Sequence, residues 1–82
     1  MTYIILSMGD IKLHLTEVMG RHRIKQTELA QAGGLRYATV NDLYNGKSKR
    51  LDLATMAAVV AGLRRITGHP YTVGDLFEYR ED

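Results

Sequence analysis

Residues 26–50, QTELAQAGGLRYATVNDLYNGKSKR, decide the fold of this chain. Leu29 and Ala30 predict the inward face of a two-turn helix running from about Gln26 to Ala32. Gly33-Gly34 ends it, because glycine enters the left-handed conformation of a tight turn without a steric penalty. A second helix is expected over about Tyr37–Tyr44, where Val40, Leu43 and Tyr44 have the i, i+3, i+4 spacing of a core stripe. Asn45-Gly46 is a C-cap signal, and the basic loop Lys47-Ser48-Lys49-Arg50 follows directly. Charge gathers in the same place. Between Arg21 and Arg50 there are seven Lys or Arg and two acids, whereas the rest of the chain holds four and seven. A net charge of +2 thus conceals a basic middle segment, as a phosphate-facing surface requires.

The flanking segments supply the rest of a helical domain. Ile11, Leu15, Val18, Met19 and His22 fall on one face of a helix that starts after an N-cap at Asp10, with Ser7 as an upstream alternative, and ends near Arg21 or His22. Ile24 is expected to plug the core from the following loop. Asp52 is the N-cap of a fourth helix with Leu53, Met56, Val59, Val60 and Leu63 inward. Gly62 within it costs on the order of 1 kcal/mol relative to alanine, which predicts tight packing there or an early end. Gly68-His69-Pro70 breaks the chain. Thr72-x-x-Asp75 then resembles a capping box opening a short fifth helix with Val73, Leu76 and Phe77 inward. The expectation is an all-α fold of five helices over residues 10–82, led by an arm or strand over residues 1–9. Within that lead, TYIILS at residues 2–7 has strand propensity. It would pair with a second copy or with the segment around Tyr71, or else form a loose lead-in before Met8.

Composition bounds the function. Eighty-two residues make one domain with one small core. An apolar content of 45% is too high for a disordered tail. With no cysteine, disulfides, thiolate metal sites and cysteine nucleophiles are excluded. No apolar run approaches the roughly 20 residues of a membrane span. The run Tyr3–Leu6 is too short for a signal-peptide core, so a cytoplasmic location is expected.

Asp10, His14 and Glu17 share the spacing of one helical face, which suits a solvated surface better than a metal site. No nucleophile constellation and no phosphate-binding glycine loop is present, so neither an enzyme nor a cofactor is expected.

A helix that enters the major groove must bury one face in its own protein and show base-reading groups on the other. With Val40, Leu43 and Tyr44 inward, Tyr37, Ala38, Asn41 and Asp42 face outward and Arg36 leads. Arg36 suits guanine, Asn41 suits adenine, and Ala38 suits a thymine methyl. Tyr37 could stack on a sugar or donate its hydroxyl to a phosphate. Gln26 stands at a helix N-terminus, where free N–H groups favour an anion. Lys47, Lys49, Arg50 and Asn45 would meet the backbone beyond the recognition helix. Two residues sit awkwardly. Arg36 occupies a cap position without an acceptor atom. The Asp42 carboxylate is repelled by phosphate unless it accepts from cytosine or pairs with a cation.

The stretch from about Ile11 to Tyr79 resembles the Xre/Cro family of phage-repressor-like helix-turn-helix proteins. The resemblance rests on Gln26-Thr27-Glu28-Leu29-Ala30, Gly34, Ala38-Thr39-Val40, Leu43-Tyr44-Asn45-Gly46-Lys47, Leu53/Met56 and Gly74-Asp75-Leu76, in order and at matching spacing. It implies a five-helix, lambda-repressor-like domain that binds double-stranded DNA as a homodimer and regulates transcription, as a repressor does. It also implies base contacts from the positions of Tyr37, Ala38 and Asp42 and a backbone contact from Gln26. The candidate DNA-binding set is completed by Thr27 in the first turn beside Gln26 and by Thr39 on the recognition helix. The alternative on the same fold is an antitoxin or accessory module that meets a protein partner, such as a toxin, through Tyr71–Tyr79.

Overall fold

Five helices and one two-stranded ribbon make up the described residues, and the ribbon ties the beginning of the described chain to its end. A computed structural model describes residues 10–47 and 51–81. The elements in order are β1 (Asp10–Leu13), α1 (Leu15–His22), α2 (Gln26–Gly33), α3 (Tyr37–Tyr44), α4 (Leu53–Thr67), α5 (Val73–Leu76) and β2 (Phe77–Arg80). The expected strand at residues 2–7 and the basic-loop residues Ser48, Lys49 and Arg50 lie outside the described residues.

The core is built from the predicted helical stripes. Leu15, Val18, Met19, Ile24, Leu29, Ala30, Val40, Leu43, Val59, Leu63 and Leu76 are buried together. Ile24 enters from a loop as expected. It follows Arg23, which takes the left-handed conformation (φ 55°) and ends α1. The Ile24 N–H reaches back to the Met19 carbonyl at 2.8 Å.

Several expectations need correction. Asp10 does not cap α1. It lies in β1, and α1 starts four residues later with His14 at the cap position. Ile11 is accordingly a strand residue and 58% exposed, and Asp10, His14 and Glu17 do not share a helical face. Leu53, the first residue of α4, is 81% exposed, and Leu51, just before the Asp52 cap, packs on the core instead. Val73 is exposed in the single turn of α5, which ends before Phe77 and leaves that residue to start β2. Tyr44 is exposed rather than part of the core stripe.

The ribbon is antiparallel, with Ile11 opposite Tyr79, Lys12 opposite Glu78 and Leu13 opposite Phe77. Leu13 and Phe77 share a face and pack against the core, while the opposite charges of Lys12 and Glu78 favour this register. A two-stranded ribbon alone is marginal in water, and two further contacts anchor this one. The His14 N–H donates to the Leu76 carbonyl at 2.7 Å. The His14 side chain donates from Nδ1 to Glu17 and from Nε2 to Glu78, the latter at 2.7 Å.

Caps set the remaining boundaries. The Asp52 carboxylate accepts from the Thr55 N–H at 2.7 Å, as its sequence position predicts. Asp75 accepts from the Thr72 N–H at 2.8 Å and from the Thr72 hydroxyl at 3.2 Å. α4 runs to Thr67, where Gly68 closes it with φ 74°. This length absorbs the long stretch between Leu63 and the fifth helix. Beyond it, the Tyr71 hydroxyl meets His22 Nε2 at 2.6 Å and pins the connection to the end of α1.

α2 packs on α4 more extensively than on any other helix, and glycine makes the approach. A Cβ on Gly62 would lie 3.1 Å from the Gly33 nitrogen and 2.9 Å from a Leu29 methyl, and one on Gly33 would lie 2.7 Å from the Ala58 carbonyl oxygen. Gly62→Ala should therefore destabilise the fold by up to about 2 kcal/mol, since overpacking (roughly 1–3 kcal/mol) is offset only in part by the gain in helix propensity of about 1 kcal/mol. Gly20, with open space around it, is the control. Gly20→Ala should stabilise by roughly 0.5–1 kcal/mol in the same urea titration followed by circular dichroism.

The His14 contacts also predict a pH dependence. Hydrogen bonding to Glu17, then to Glu78, holds the His14 imidazole above its ordinary 6.5. The same bonds hold both carboxylates below their ordinary 4.5. A raised imidazole stabilises the fold below its unfolded value and loses that contribution as pH rises through the folded one. Lowered carboxylates contribute above their unfolded value and lose this as pH falls. The urea midpoint should thus decline from about pH 6 toward pH 8, and the difference between wild type and His14→Gln should shrink over the same interval. A difference that stays constant across it would show that the triad does not titrate.

Candidate nucleic-acid interface

α2 and α3 form a helix-turn-helix whose inner faces are held by Leu29, Ala30, Val40 and Leu43, all buried. The turn follows from Gly34, which takes φ 67° after the last residue of α2. There the Leu35 N–H returns to the Ala30 carbonyl at 2.8 Å, and the Leu35 side chain packs on the core. α3 then starts at Tyr37 and ends at Tyr44, within the predicted span. Asn45-Gly46 closes it as the sequence suggests. Gly46 adopts φ 69°, its N–H reaches the Leu43 carbonyl at 3.3 Å, and Lys47 N–H reaches the Asp42 carbonyl at 2.8 Å.

The structure sorts the candidate residues by exposure. Thr27, Arg36, Tyr37, Ala38, Asp42, Asn45 and Lys47 are exposed, while Gln26, Thr39 and Asn41 are half-buried. Lys49 and Arg50 lie outside the described residues. Arg36 holds the N-cap position of α3 with an extended backbone, and its side chain makes no cap hydrogen bond. Its carbonyl accepts from Thr39 and Val40 at 3.0 and 3.2 Å, so the helix begins on backbone bonds alone. The Asp42 carboxylate forms no ion pair among the described residues.

Side-chain hydrogen bonds join the two helices. Asn41 Nδ2 donates to Gln26 Oε1 at 2.9 Å. Asn45 Nδ2 donates to the Asn41 carbonyl at 2.9 Å and to Asn41 Oδ1 at 3.2 Å. Two of the adenine-reading and backbone-binding candidates are thereby in contact with each other.

Beside this junction lies an open groove of about 370 Å³ lined by Ile24, Lys25, Gln26, Thr27, Tyr37 and Tyr44. Its lining residues carry an ammonium, a primary amide, a threonine hydroxyl and two phenols, all capable of donating. Such a set suits an anion. The Glu28 carboxylate accepts from the Lys25 N–H at 2.8 Å and orders the entry to α2. Tyr44 and Lys25 were absent from the candidate residues. Tyr44 follows Tyr37 by seven residues, two helical turns, and that spacing places both phenols on one side.

The family model of the Cro/C1-type HTH DNA-binding domain matches residues 14–82. The chain is also 29% identical over 72 residues to the uncharacterized HTH-type transcriptional regulator YozG of Bacillus subtilis (strain 168), covering 88% of this chain and 79% of that protein. No solved structure matches it. Among the described residues no helix is long and apolar enough to cross a membrane. Helix order, turn, caps and family match agree, and the chain belongs to the Cro/C1-type helix-turn-helix DNA-binding domain family.

Proposed function

We propose that this protein is a sequence-specific transcriptional regulator that places α3 in the DNA major groove and acts as a homodimer, without chemistry or a cofactor. The observation that carries the reading is the shared surface of α2 and α3. The exposed face of α3 presents Arg36, Tyr37, Ala38 and Asp42 beside a donor-lined groove at the start of α2. Base edges would meet Arg36 and Ala38, and phosphates would meet Gln26, Thr27, Tyr37, Tyr44 and Lys47. Thr39 stands beside them on α3. Lys49 and Arg50 extend the same basic run in sequence. Asp42 would accept from cytosine N4.

A single module covers roughly 600–1,000 Å² of DNA, so useful specificity requires two copies on half-sites about one helical turn apart. Occupancy of the operator would then act sterically, by blocking or positioning polymerase. The relative named as a transcriptional regulator supports this assignment.

Fluorescence anisotropy on duplex DNA against sodium chloride concentration, with selection of preferred sequences from the bound pool, tests the proposal. A steep negative log–log slope and an enriched inverted repeat are expected. Binding without enrichment would reduce the protein to a non-specific binder, and no binding at low salt would leave a protein-partner module on this fold. Lys47→Ala should weaken all sequences alike and flatten the salt slope by about one, whereas Arg36→Ala should relax one base position by about 1–3 kcal/mol. Identical behaviour of the two variants would refute the assigned recognition face.

A further inference from the structure

Three side-chain amides at the α2–α3 junction are connected, and their direction is not arbitrary. Asn45 stands 2.9 Å from the backbone carbonyl of Asn41. A carbonyl oxygen only accepts, so the Asn45 atom facing it must be the amino group. That amino group also lies 3.2 Å from the Asn41 side chain, which must turn its oxygen toward it. The Asn41 amino group is thereby aimed at Gln26, 2.9 Å away, and occupies the Gln26 carbonyl oxygen. One backbone carbonyl thus sets the polarity of all three amides.

We propose that Asn45 and Asn41 are positioning residues that fix Gln26 as a donor-only contact to DNA, with its carbonyl oxygen held inside the protein and its amino group directed outward. This rests on the DNA-binding reading above. A free glutamine offers one donor and one acceptor edge and so recognises adenine at N6 and N7. With Oε1 turned toward Asn41 and one of its two lone pairs taken there, Gln26 no longer presents both amide ends side by side to adenine and favours a group that only accepts, such as a phosphate oxygen or the O6/N7 edge of guanine. The donor-rich groove around it has the same preference. Asn41 then acts through Gln26 and not as a reader of adenine. An asparagine set at the middle of α3 for direct reading would keep both ends of its amide for the base. Here it is half-buried and spends one end on each neighbouring amide.

A double-mutant cycle on DNA binding separates the two roles. Asn41→Ala should weaken binding about 5-fold in the wild-type background and less than about 2-fold once Gln26→Ala is present, because coupled residues are non-additive. Asn45→Ala should follow the same pattern with a smaller first effect. Equal losses in both backgrounds would overturn the proposal, and selected sites that lose an adenine preference only in Asn41→Ala would assign that residue to the base. A readout without DNA stands beside the cycle. In the free protein, a trans-hydrogen-bond coupling should run from the Asn41 side-chain nitrogen to the Gln26 side-chain carbonyl carbon. A coupling in the reverse direction, or Asn41 side-chain amide protons exchanging as fast in wild type as in Gln26→Ala, would overturn the relay. Failure of the wild type to bind any DNA would refute the functional reading and leave the amide geometry to be decided by this spectrum. Circular dichroism of each variant confirms that the helices persist.

Discussion

The close crossing of α2 and α4 governs where everything functional lies. Gly33 and Gly62 let the two helices approach until a single added methyl would meet backbone atoms. Against that contact α2 is fixed as a rigid platform, and the Gly34 turn then aims α3 from its end. The stripe Val40/Leu43 and the Leu35 side chain seat α3 on the same core. The exposed face of α3 is therefore set by packing behind it and not by anything on the surface. Glycine at position 62 is unfavourable for an isolated helix, and its presence in the middle of a 15-residue helix is explained by its partner rather than by its own element.

The ribbon plays the complementary part at the two ends of the described chain. It joins residues 10–13 to residues 77–80 and seals Leu76 beneath it. His14 connects three elements there: its N–H extends the strand register, its backbone opens α1, and its imidazole bridges Glu17 and Glu78. An imidazole bonded to carboxylates at both nitrogens needs both protons, so the bridge is complete only in the cationic form.

What could be read from the sequence was local. Apolar spacing and caps placed α2, α3 and the start of α4 at Asp52 because their signals lie within the elements themselves. The Thr72/Asp75 box was legible for the same reason. The ribbon was not, since Ile11 and Leu15 satisfy a helical spacing as well as Ile11 and Leu13 satisfy an alternating one. Only the distant partner Phe77–Arg80 decides between them. Tyr44 was read as core because an aromatic at i+4 from Val40 fits a stripe, yet the groove to α2 leaves it exposed. For the interface, residue types and order were visible. The hydrogen bonds among Gln26, Asn41 and Asn45 were not, because they depend on how two helices approach across a turn.

Arg36 breaks a local rule of helix formation at the candidate interface. At the N-cap of α3 it leaves the first N–H groups without a side-chain acceptor, where serine or aspartate would stabilise the helix by about 1 kcal/mol. It also brings a cation to the positive end of the helix dipole, which is unfavourable by on the order of 0.3–1 kcal/mol when exposed. Neither cost is offset within the described chain, because the guanidinium forms no ion pair there. Sequences break local rules chiefly where a ligand supplies the missing partner. Uncapped N–H groups and an arginine at the leading end of a helix both seek acceptors, and an anionic, acceptor-edged surface offers them together. In the proposed complex, the same position that weakens α3 in isolation would favour its contact with nucleic acid.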